Sequence, residues 1–363
     1  WTLSVDQEWV KLAPMSGTSA TKSITVTVDE ENNTDDTRVA KVIIASVTDL
    51  TQTDTLLVSQ TNVEAGGKIV DAETFLLFLE AAGSFTEADV VEIAENVDMG
   101  GAEITPAAKF AGVLEGNNHS IYNFVVNSTL TGSCIFVENS GTIKNLKVGT
   151  KDGSTYDKVP KFTFASGAEA NAAGVVAINS GVMENVSNYA TVDFNASSPA
   201  TSDTGIGGVA GMMSGSEAKL VNCHNYGQVV FTGTLNYRGS IGGVLGLNPS
   251  AGAEVVGCVN HADVIQASKT QKEFAMGGVV GRANDKVIVT DCTNEGAVSY
   301  TCSEKPGSYL HIAGIIGAEY KASEITGCVN KGAISSCIDQ VNRMGGIVGT
   351  ANSGGTVASC RNE

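Results

Sequence analysis

A sequence repeat of about 35 residues constrains the fold of this 363-residue chain more than any other feature. The repeat carries a strand-like Gly-Gly-Val motif, whose successive copies are spaced by 34, 35, 35, 36 and 32 residues. The copies are Ala173-Gly-Val175, Gly207-Gly-Val209, Gly242-Gly-Val244, Gly277-Gly-Val279, Ala313-Gly-Ile315 and Gly345-Gly-Ile347. Regular recurrence at this period is typical of a solenoid, in which each repeat packs only on its neighbours.

A second frame in the same repeat ends in asparagine and usually begins with cysteine. Its ladder residues are Cys223, Cys258, Cys292, Cys328 and Cys360, with Asn188, Asn225, Asn260, Asn294 and Asn330. If each coil lies in register on the preceding one, like side chains stack about 4.8 Å apart. Buried Cys and Val then form apolar ladders, and an Asn ladder passes amide hydrogen bonds from coil to coil.

Helical repeats of similar length are the rival architecture. Gly-Gly-Val and Gly-x-Val segments are poor helix formers, and the repeat lacks an apolar stripe with a period of 3.6 residues. The sequence therefore predicts an all-β fold whose main part is a right-handed parallel β-helix, with three short strands in each repeat.

The first 100 residues differ in charge from the rest of the chain. They contain 18 acidic and five basic residues, a net charge of −13, whereas the remaining 263 residues have a net charge of −4. Strand-like segments at 24–28, 40–44 and 55–59, with an acidic turn at 29–36, predict a small β-sandwich. An amphipathic segment at 71–82 predicts a helix that caps the β-helix. We therefore expect a β-sandwich at 1–61, a connector with the capping helix at 62–106, and the β-helix at 107–363.

The N-terminal region contains a recognisable series of motifs: Trp9-Val10, Ser16-Gly17, the strand ending at Val28, Arg38, the strand at 40–44 and Leu57-Val58-Ser59-Gln60. In this series it resembles a BACON domain, an immunoglobulin-like module of Bacteroidetes surface proteins. It implies a surface protein linked to glycan processing, in which the domain has a presumed role in carbohydrate binding. A core position between two sheets is the favoured interpretation of Trp9, and stacking on a sugar is the alternative.

Two segments open the repeat region, one from Phe110 to Phe124 and one from Ile135 to Leu146. They resemble the opening motifs of GLUG-repeat proteins, although Glu115 stands where the family has Asp. GLUG repeats occur in bacterial adhesins and in accessory regions of secreted peptidases that act on immunoglobulin A. The resemblance implies attachment or recognition outside the cell, on the extracellular side of the outer membrane.

The sequence argues against catalysis. It has no H-E-x-x-H motif for a metallopeptidase and no G-x-S-x-G motif, and the repeat region offers isolated acids with no close pair of Asp for a glycoside hydrolase. Arg282 and Asp285 are the nearest approach to the base and carboxylate of a lyase, but solvated loop positions are the favoured interpretation. We predict no enzyme activity, no cofactor and no metal site; a β-helical polysaccharide lyase or hydrolase and a purely structural stalk remain the alternatives.

The acidic balance argues against nucleic acid as a partner, and no apolar stretch reaches the roughly 18 residues that span a bilayer. Loops that precede the Gly-Gly-Val strands would align along one edge, and they contain Tyr237, Arg238, Phe274 and Tyr309. These residues are the predicted binding strip for glycans or cell-surface proteins, with solvated loops as the alternative. Cys302 and Cys337, which lie outside the Cys ladder on adjacent coils, are candidates for a disulfide.

Overall fold

The computed structural model describes residues 1–18, 21, 23–28, 38–49, 51–60, 67–126, 135–149, 171–195, 202–268, 272–304, 306–338, 343–351 and 354–363. The chain forms two units, Trp1–Gly67 and Lys68–Glu363. The acidic turn expected at 29–36 lies outside the described residues.

The N-terminal unit is a small all-β sandwich. One antiparallel sheet contains the strands Thr2–Val5, Arg38–Ala45 and Thr53–Gln60, and the other contains Val10–Ala13 and Thr25–Val28. Trp9 is 7% exposed and packs in the core with Leu3, Val10 and Val42. The Arg38 guanidinium lies 4.5 Å from the centre of the Trp9 ring. Trp9 is therefore a core residue, as the favoured interpretation predicts.

The C-terminal unit is a parallel β-helix. Residues 239–266, all described, form one coil with five strands rather than the expected three: Gly239–Gly242, Leu245–Asn248, Ala253–Val256, Val259–Asn260 and Val264–Gln266. Equivalent strands of successive coils pair in parallel, and we number the resulting sheets I to V in this order. The extra strands arise because each turn is short enough for pairing to resume on both sides.

The other strands follow the same register. Sheet I contains Ala172–Ala173, Thr204–Gly207, Phe274–Gly277, Leu310–Ala313 and Arg343–Gly345. Sheet II contains Ala107–Phe110, Phe136–Asn139, Val176–Asn179, Ala210–Met213, Val280–Ala283, Ile316–Glu319 and Val348–Thr350. Sheet III contains Lys68–Ile69, Val90–Ile93, Val113–Glu115, Thr142–Lys144, Val182–Glu184, Lys219–Val221, Val287–Thr290, Glu324–Thr326 and Thr356–Ala358.

Sheets IV and V complete the coil. Sheet IV contains Val97–Asp98, Ser120–Tyr122, Lys147–Val148, Ser187–Asn188, His224–Asn225, Thr293–Asn294, Val329–Asn330 and Arg361–Asn362. Sheet V contains Val192–Phe194, Val229–Phe231, Val298–Tyr300 and Ile334–Ser336. Glu103–Ile104 and Val125–Val126 form a separate parallel pair. Strands from residue 68 onward pair within sheets III and IV, so the segment expected as a connector already contributes coils.

A helix at Ala72–Ala81, followed by a 3-10 turn at Ala82–Ser84, covers the first coils of the β-helix. Asp71 caps the helix by accepting a hydrogen bond from the Thr74 backbone N–H. Phe78 is fully buried, and its ring centre lies 5.6 Å from that of Phe110 and 6.1 Å from that of Phe136. The helix thus shields the aromatic side chains of the first coils from water, which is the role expected of a cap.

The Asn ladder is continuous in the structure. Asn188 donates to Asn225 at 2.9 Å, Asn225 to Asn260 at 2.9 Å, and Asn260 to Asn294 at 2.8 Å. The ladder continues to Asn330 and Asn362 at 2.8 and 2.7 Å. The second glycine of each Gly-Gly-Val motif makes room for it. A Cβ added to Gly243 would lie 2.2 Å from Cγ of Asn260, so the two repeated motifs depend on each other.

The Cys ladder occupies the neighbouring interior column. Cys223, Cys258, Cys292 and Cys328 are fully buried. Each thiol lies within 3.4 to 3.6 Å of a backbone carbonyl oxygen of the preceding coil, namely that of Met183, Leu220, Val255 or Val289. Cysteine therefore suits this corner as a small apolar side chain with a weak S–H donor. Burial raises the pKa of the Cys258 thiol, so this side chain is a poor nucleophile.

Candidate binding surface

The loops that precede the strands of sheet I do align along one edge of the β-helix. Thr204 pairs with Gly239, Gly239 with Phe274, and Phe274 with Leu310, so the four preceding residues form one column. We call Asp203, Arg238, Glu273 and Tyr309 the edge column. The backbone carbonyls of Arg238, Glu273 and Tyr309 accept hydrogen bonds of 2.9 to 3.1 Å from the preceding coil, so these side chains extend from an ordered backbone.

Three of the four residues of the predicted binding strip reach this edge. Tyr237 is half-buried, and the Arg238 guanidinium lies 5.1 Å from its ring centre. Tyr309 is 50% exposed, with the Arg343 guanidinium 5.2 Å from its ring. The Arg238 side chain is 41% exposed. A mixture of accessible rings and guanidinium groups is therefore present.

Phe274 does not belong to this surface. It is fully buried, and its ring centre lies 5.9 Å from that of Phe231. The prediction for Phe274 is wrong because this residue is the first of its strand rather than the last of the loop, and it takes the same inward orientation as Leu310. Glu273 occupies the edge position instead.

Arg282 is also misplaced by the sequence interpretation, which put it in a solvated loop. It lies in sheet II, and its side chain is 0% exposed. Its Nη1 atom is 3.9 Å from Oδ2 of Asp203, and its Nη2 atom is 3.5 Å from Oε1 of Glu273. Burial lowers the pKa of Arg282, while the two carboxylates act in the opposite direction. The guanidinium is a buried cation beneath the edge column.

Glu273 is the most connected member of the edge column. Its Oε1 atom accepts from Nε2 of His311 at 3.0 Å and from the hydroxyl of Tyr320. Nδ1 of His311 lies 2.5 Å from the hydroxyl oxygen of Thr350. Burial acts to raise the pKa of Glu273, but the hydrogen bond from His311 and the charge of Arg282 hold that pKa below its ordinary value. Glu273 is therefore a fixed, ionised hydrogen-bond acceptor.

Asp203 is held in a similar way. Its Oδ1 atom is 2.8 Å from Nε of Arg238, and its Oδ2 atom accepts from Nδ2 of Asn284 at 2.9 Å. The Asp203 and Glu273 side chains are 15% and 17% exposed, so both carboxylates border the solvent. No spacing rule pointed to this cluster, since Asp203 and Asn284 are 81 residues apart.

A second aromatic surface escaped the sequence analysis. The residues that follow Asn188, Asn225 and Asn260 in sheet IV are Tyr189, Tyr226 and His261, and their rings form a parallel stack. The ring centres of Tyr226 and Tyr189 are 4.4 Å apart, and those of Tyr226 and His261 are 4.2 Å apart. The position after each ladder Asn was the available signal. Because the rings cover each other's faces, this ring stack offers mainly ring edges to a ligand.

The predicted disulfide between Cys302 and Cys337 is not formed. Both thiols are free, and Cys337 Sγ lies 2.7 Å from the carbonyl oxygen of Cys302. The two residues are out of step on their coils, since the Cys337 backbone N–H bonds to the carbonyl of Tyr300. The side chain of Cys337 is thus opposite backbone rather than opposite the other sulfur.

Three further observations concern the residues that the structure describes. Within the described ranges, no group of three or more His, Cys, Asp and Glu side chains is placed to hold a metal ion. The described helices include none long and apolar enough to cross a membrane. In the N-terminal unit, Trp1, Thr21, Ser23, Ile24 and Ile44 line a cavity of about 260 Å³.

Comparison with known proteins gives a family match and a structural similarity. Residues 1–61 match the family model described as "BACON: Putative binding domain, N-terminal". The crystal structure of "a putative immunoglobulin A1 protease from Bacteroides ovatus" resembles this chain with a TM-score of 0.52 and 13% identity, over 79% of this chain and 84% of that one. An identity this low shows a shared fold alone. No curated protein matches the chain.

Proposed function

We propose that this protein is a non-catalytic binding protein of the cell surface, whose β-helix displays a recognition surface for glycans or surface proteins. The observation that carries the proposal is the edge column with its flanking rings. Charged and aromatic side chains that differ from coil to coil meet there on a backbone fixed by the ladders. Such a surface combines varied contacts with little loss of conformational entropy on binding.

The proposed location at the cell surface draws on the N-terminal family match and on the repeats. The match of residues 1–61 to a binding-domain family supports a role in attachment. Together with the resemblance of the repeats to GLUG proteins, it favours a secreted protein or one attached to the extracellular side of the outer membrane. Glycans and cell-surface proteins are the partners that such a position would bring within reach.

Burial of the reactive groups supports the absence of catalysis. Arg282 and His311 would be the natural base or anion-neutralising groups, and both side chains are buried. Asp203 and Glu273 are engaged with cations and hydrogen-bond donors. A polysaccharide lyase or hydrolase must bring such groups into contact with the scissile bond. The alternative enzyme function draws on one observation, the close grouping of Glu273, His311 and Tyr320.

Binding of the full chain to a glycan array and to extracellular matrix proteins tests this proposal. The double variant Arg238→Ala/Tyr309→Ala removes the accessible groups of the edge column. We expect it to lose at least about tenfold in affinity for whichever ligand the unmodified protein binds. The control is Lys331→Ala, at a position 49% exposed directly after the sheet IV strand Val329–Asn330. Equal binding by both variants, or release of sugar products by the unmodified protein, would overturn the proposal.

A further inference from the structure

The starting point is an arginine whose donors are not all used. Among the described residues, Nε and Nη1 of Arg282 have no hydrogen-bond partner, although the side chain is fully buried. Nη2 donates only a long hydrogen bond, of 3.4 Å, to the carbonyl of Gly239. Buried guanidinium groups normally satisfy most of their five N–H donors. The buried charge of Arg282 therefore depends on the two nearest carboxylates, those of Asp203 and Glu273 in the edge column.

The neighbouring carboxylates do not satisfy the unpaired N–H donors of Arg282. Asp203 is drawn toward Arg238 and Asn284, and Glu273 toward His311 and Tyr320, which leaves both 3.5 Å or more from the Arg282 nitrogens. The contacts of Glu273 are all made by Oε1, and no described residue bonds to Oε2. An ionised carboxylate oxygen at the edge therefore has capacity to accept further hydrogen bonds.

The charges at the edge column and on Arg282 beneath it determine which class of ligand fits. Two carboxylates oppose the approach of an anion, and Arg238 and Arg282 oppose the approach of a cation. Oε2 of Glu273 is an unused acceptor, and the exposed Arg238 guanidinium on the adjacent coil is an accessible donor. A hydroxyl group matches both, because it donates to a carboxylate and accepts from a guanidinium at the same time.

We infer that the surface formed by Arg238 and Glu273 on adjacent coils is a subsite for a neutral sugar, whose hydroxyl groups donate hydrogen bonds to the carboxylates of Glu273 and Asp203 and accept them from the exposed Arg238. This inference rests on the proposed binding function and names its ligand class. Tyr237 and Tyr309 flank the subsite and supply ring surface. Arg282 is a positioning residue that keeps Glu273 ionised and holds both carboxylates in place. Since strands repeat about every 4.8 Å, the edge column is about 14 Å long and accommodates more than one sugar ring.

Titration calorimetry of the full chain tests the inference. The probes are hexasaccharides of glucose, xylose and mannose as neutral sugars, and hexasaccharides of galacturonic and mannuronic acid as acidic ones. We expect binding of at least one neutral probe and at least tenfold weaker binding of the acidic ones. Glu273→Gln, which keeps the shape and removes the charge, should weaken the neutral probe by at least tenfold. Glu295→Gln, on sheet IV and 39% exposed, is the matched control.

Two further measurements keep the outcomes distinct. Thermal unfolding of each variant shows whether it is folded, and the charge-balanced Glu273→Gln/Arg282→Met variant should fold and still fail to bind. Preference for an acidic probe, no binding of any neutral probe, or an undiminished affinity of Glu273→Gln would overturn the subsite. If Arg238→Ala/Tyr309→Ala nevertheless lost an acidic glycan or a protein ligand, the proposed function would stand without it. If that variant lost no ligand either, both would fail.

Discussion

The interior ladders and the edge column belong to the same coils but follow opposite rules. At the Asn position of sheet IV, the residue is the same in each coil from Asn188 to Asn330. At the edge column the residue changes from Asp to Arg to Glu to Tyr in successive coils. Constant positions in a solenoid therefore build the scaffold. Variable positions, which the scaffold holds in register, offer different side-chain contacts from coil to coil.

The change extends inward from the edge. Between sheets I and II, the column that contains Leu247 in one coil contains Arg282 in the next and Thr350 two coils later. Opposite this column, His311 and Arg343 stand in the register position of Ser240 and Ala275. Charged residues therefore enter these columns in the later coils, although Ala318 lies between Arg282 and Thr350. The buried Arg282 is accompanied there by the carboxylates of Asp203 and Glu273.

The largest expected difference between the two regions is in thiol reactivity. In the native protein, iodoacetamide should modify the exposed Cys337 at least about a thousandfold faster than Cys258, because a buried ladder thiol reacts only after local or global opening. Peptide mass spectrometry over a time course measures both rates. In urea above the unfolding midpoint the two rates should converge. Similar rates in the native state would mean that the Cys ladder is not an interior column.

Removing one ladder asparagine is the next largest perturbation. Asn260→Ala deletes the donor to Asn294 and to the carbonyl of Ala262, and it leaves the amide of Asn225 without its acceptor in this coil. Buried groups left unpaired cost about 1–3 kcal/mol each, so we expect a loss of about 3 kcal/mol in the free energy of unfolding. Urea titration followed by circular dichroism measures it. Val259→Thr, in the same strand but outward-facing, should cost less than about 1 kcal/mol.

The two ladders probed by these tests belong to the part of the fold that the sequence predicts. The parallel β-helix, the Asn and Cys ladders and the capping helix were all predictable, because stacking in register forces the same residue type to recur at a visible period. Phe274 and Arg282 were not, since the edge column has no period and a shift of one residue reverses the orientation of a strand side chain. The partnership of Asp203 with Asn284 depends on contacts between coils two turns apart, which local spacing does not encode.

Breaking the charge pairing at the edge should have an intermediate effect on stability. Glu273→Gln leaves the buried Arg282 with Asp203 as its remaining carboxylate neighbour. Loss of one partner from a buried ion pair costs about 3–5 kcal/mol, and since Asp203 persists and Glu273 borders the solvent we expect about 2 kcal/mol. The double variant Glu273→Gln/Arg282→Met should recover more than half of that loss. If the double variant were as unstable as the sum of the single variants, the two side chains would not be coupled.

The smallest expected effect is a pH dependence of stability caused by His224 in sheet IV, whose ring lies 6.0 Å from that of Tyr226 in the ring stack. Burial and the neighbouring His261, whose Nε2 atom is 3.2 Å from Nδ1 of His224, lower the pKa of His224 below its ordinary value of 6.5. The unfolded chain therefore binds a proton at a higher pH than the folded chain does. The contribution of His224 to stability is present above pH 6.5 and is lost as the pH falls from 6.5 through the folded pKa. His224→Gln should flatten the stability profile in that window, measured by urea midpoints between pH 7.5 and pH 5.5. An unchanged slope in His224→Gln would mean that the folded chain hydrates this imidazole as fully as the unfolded chain does, and that proximity to His261 has no electrostatic effect on it.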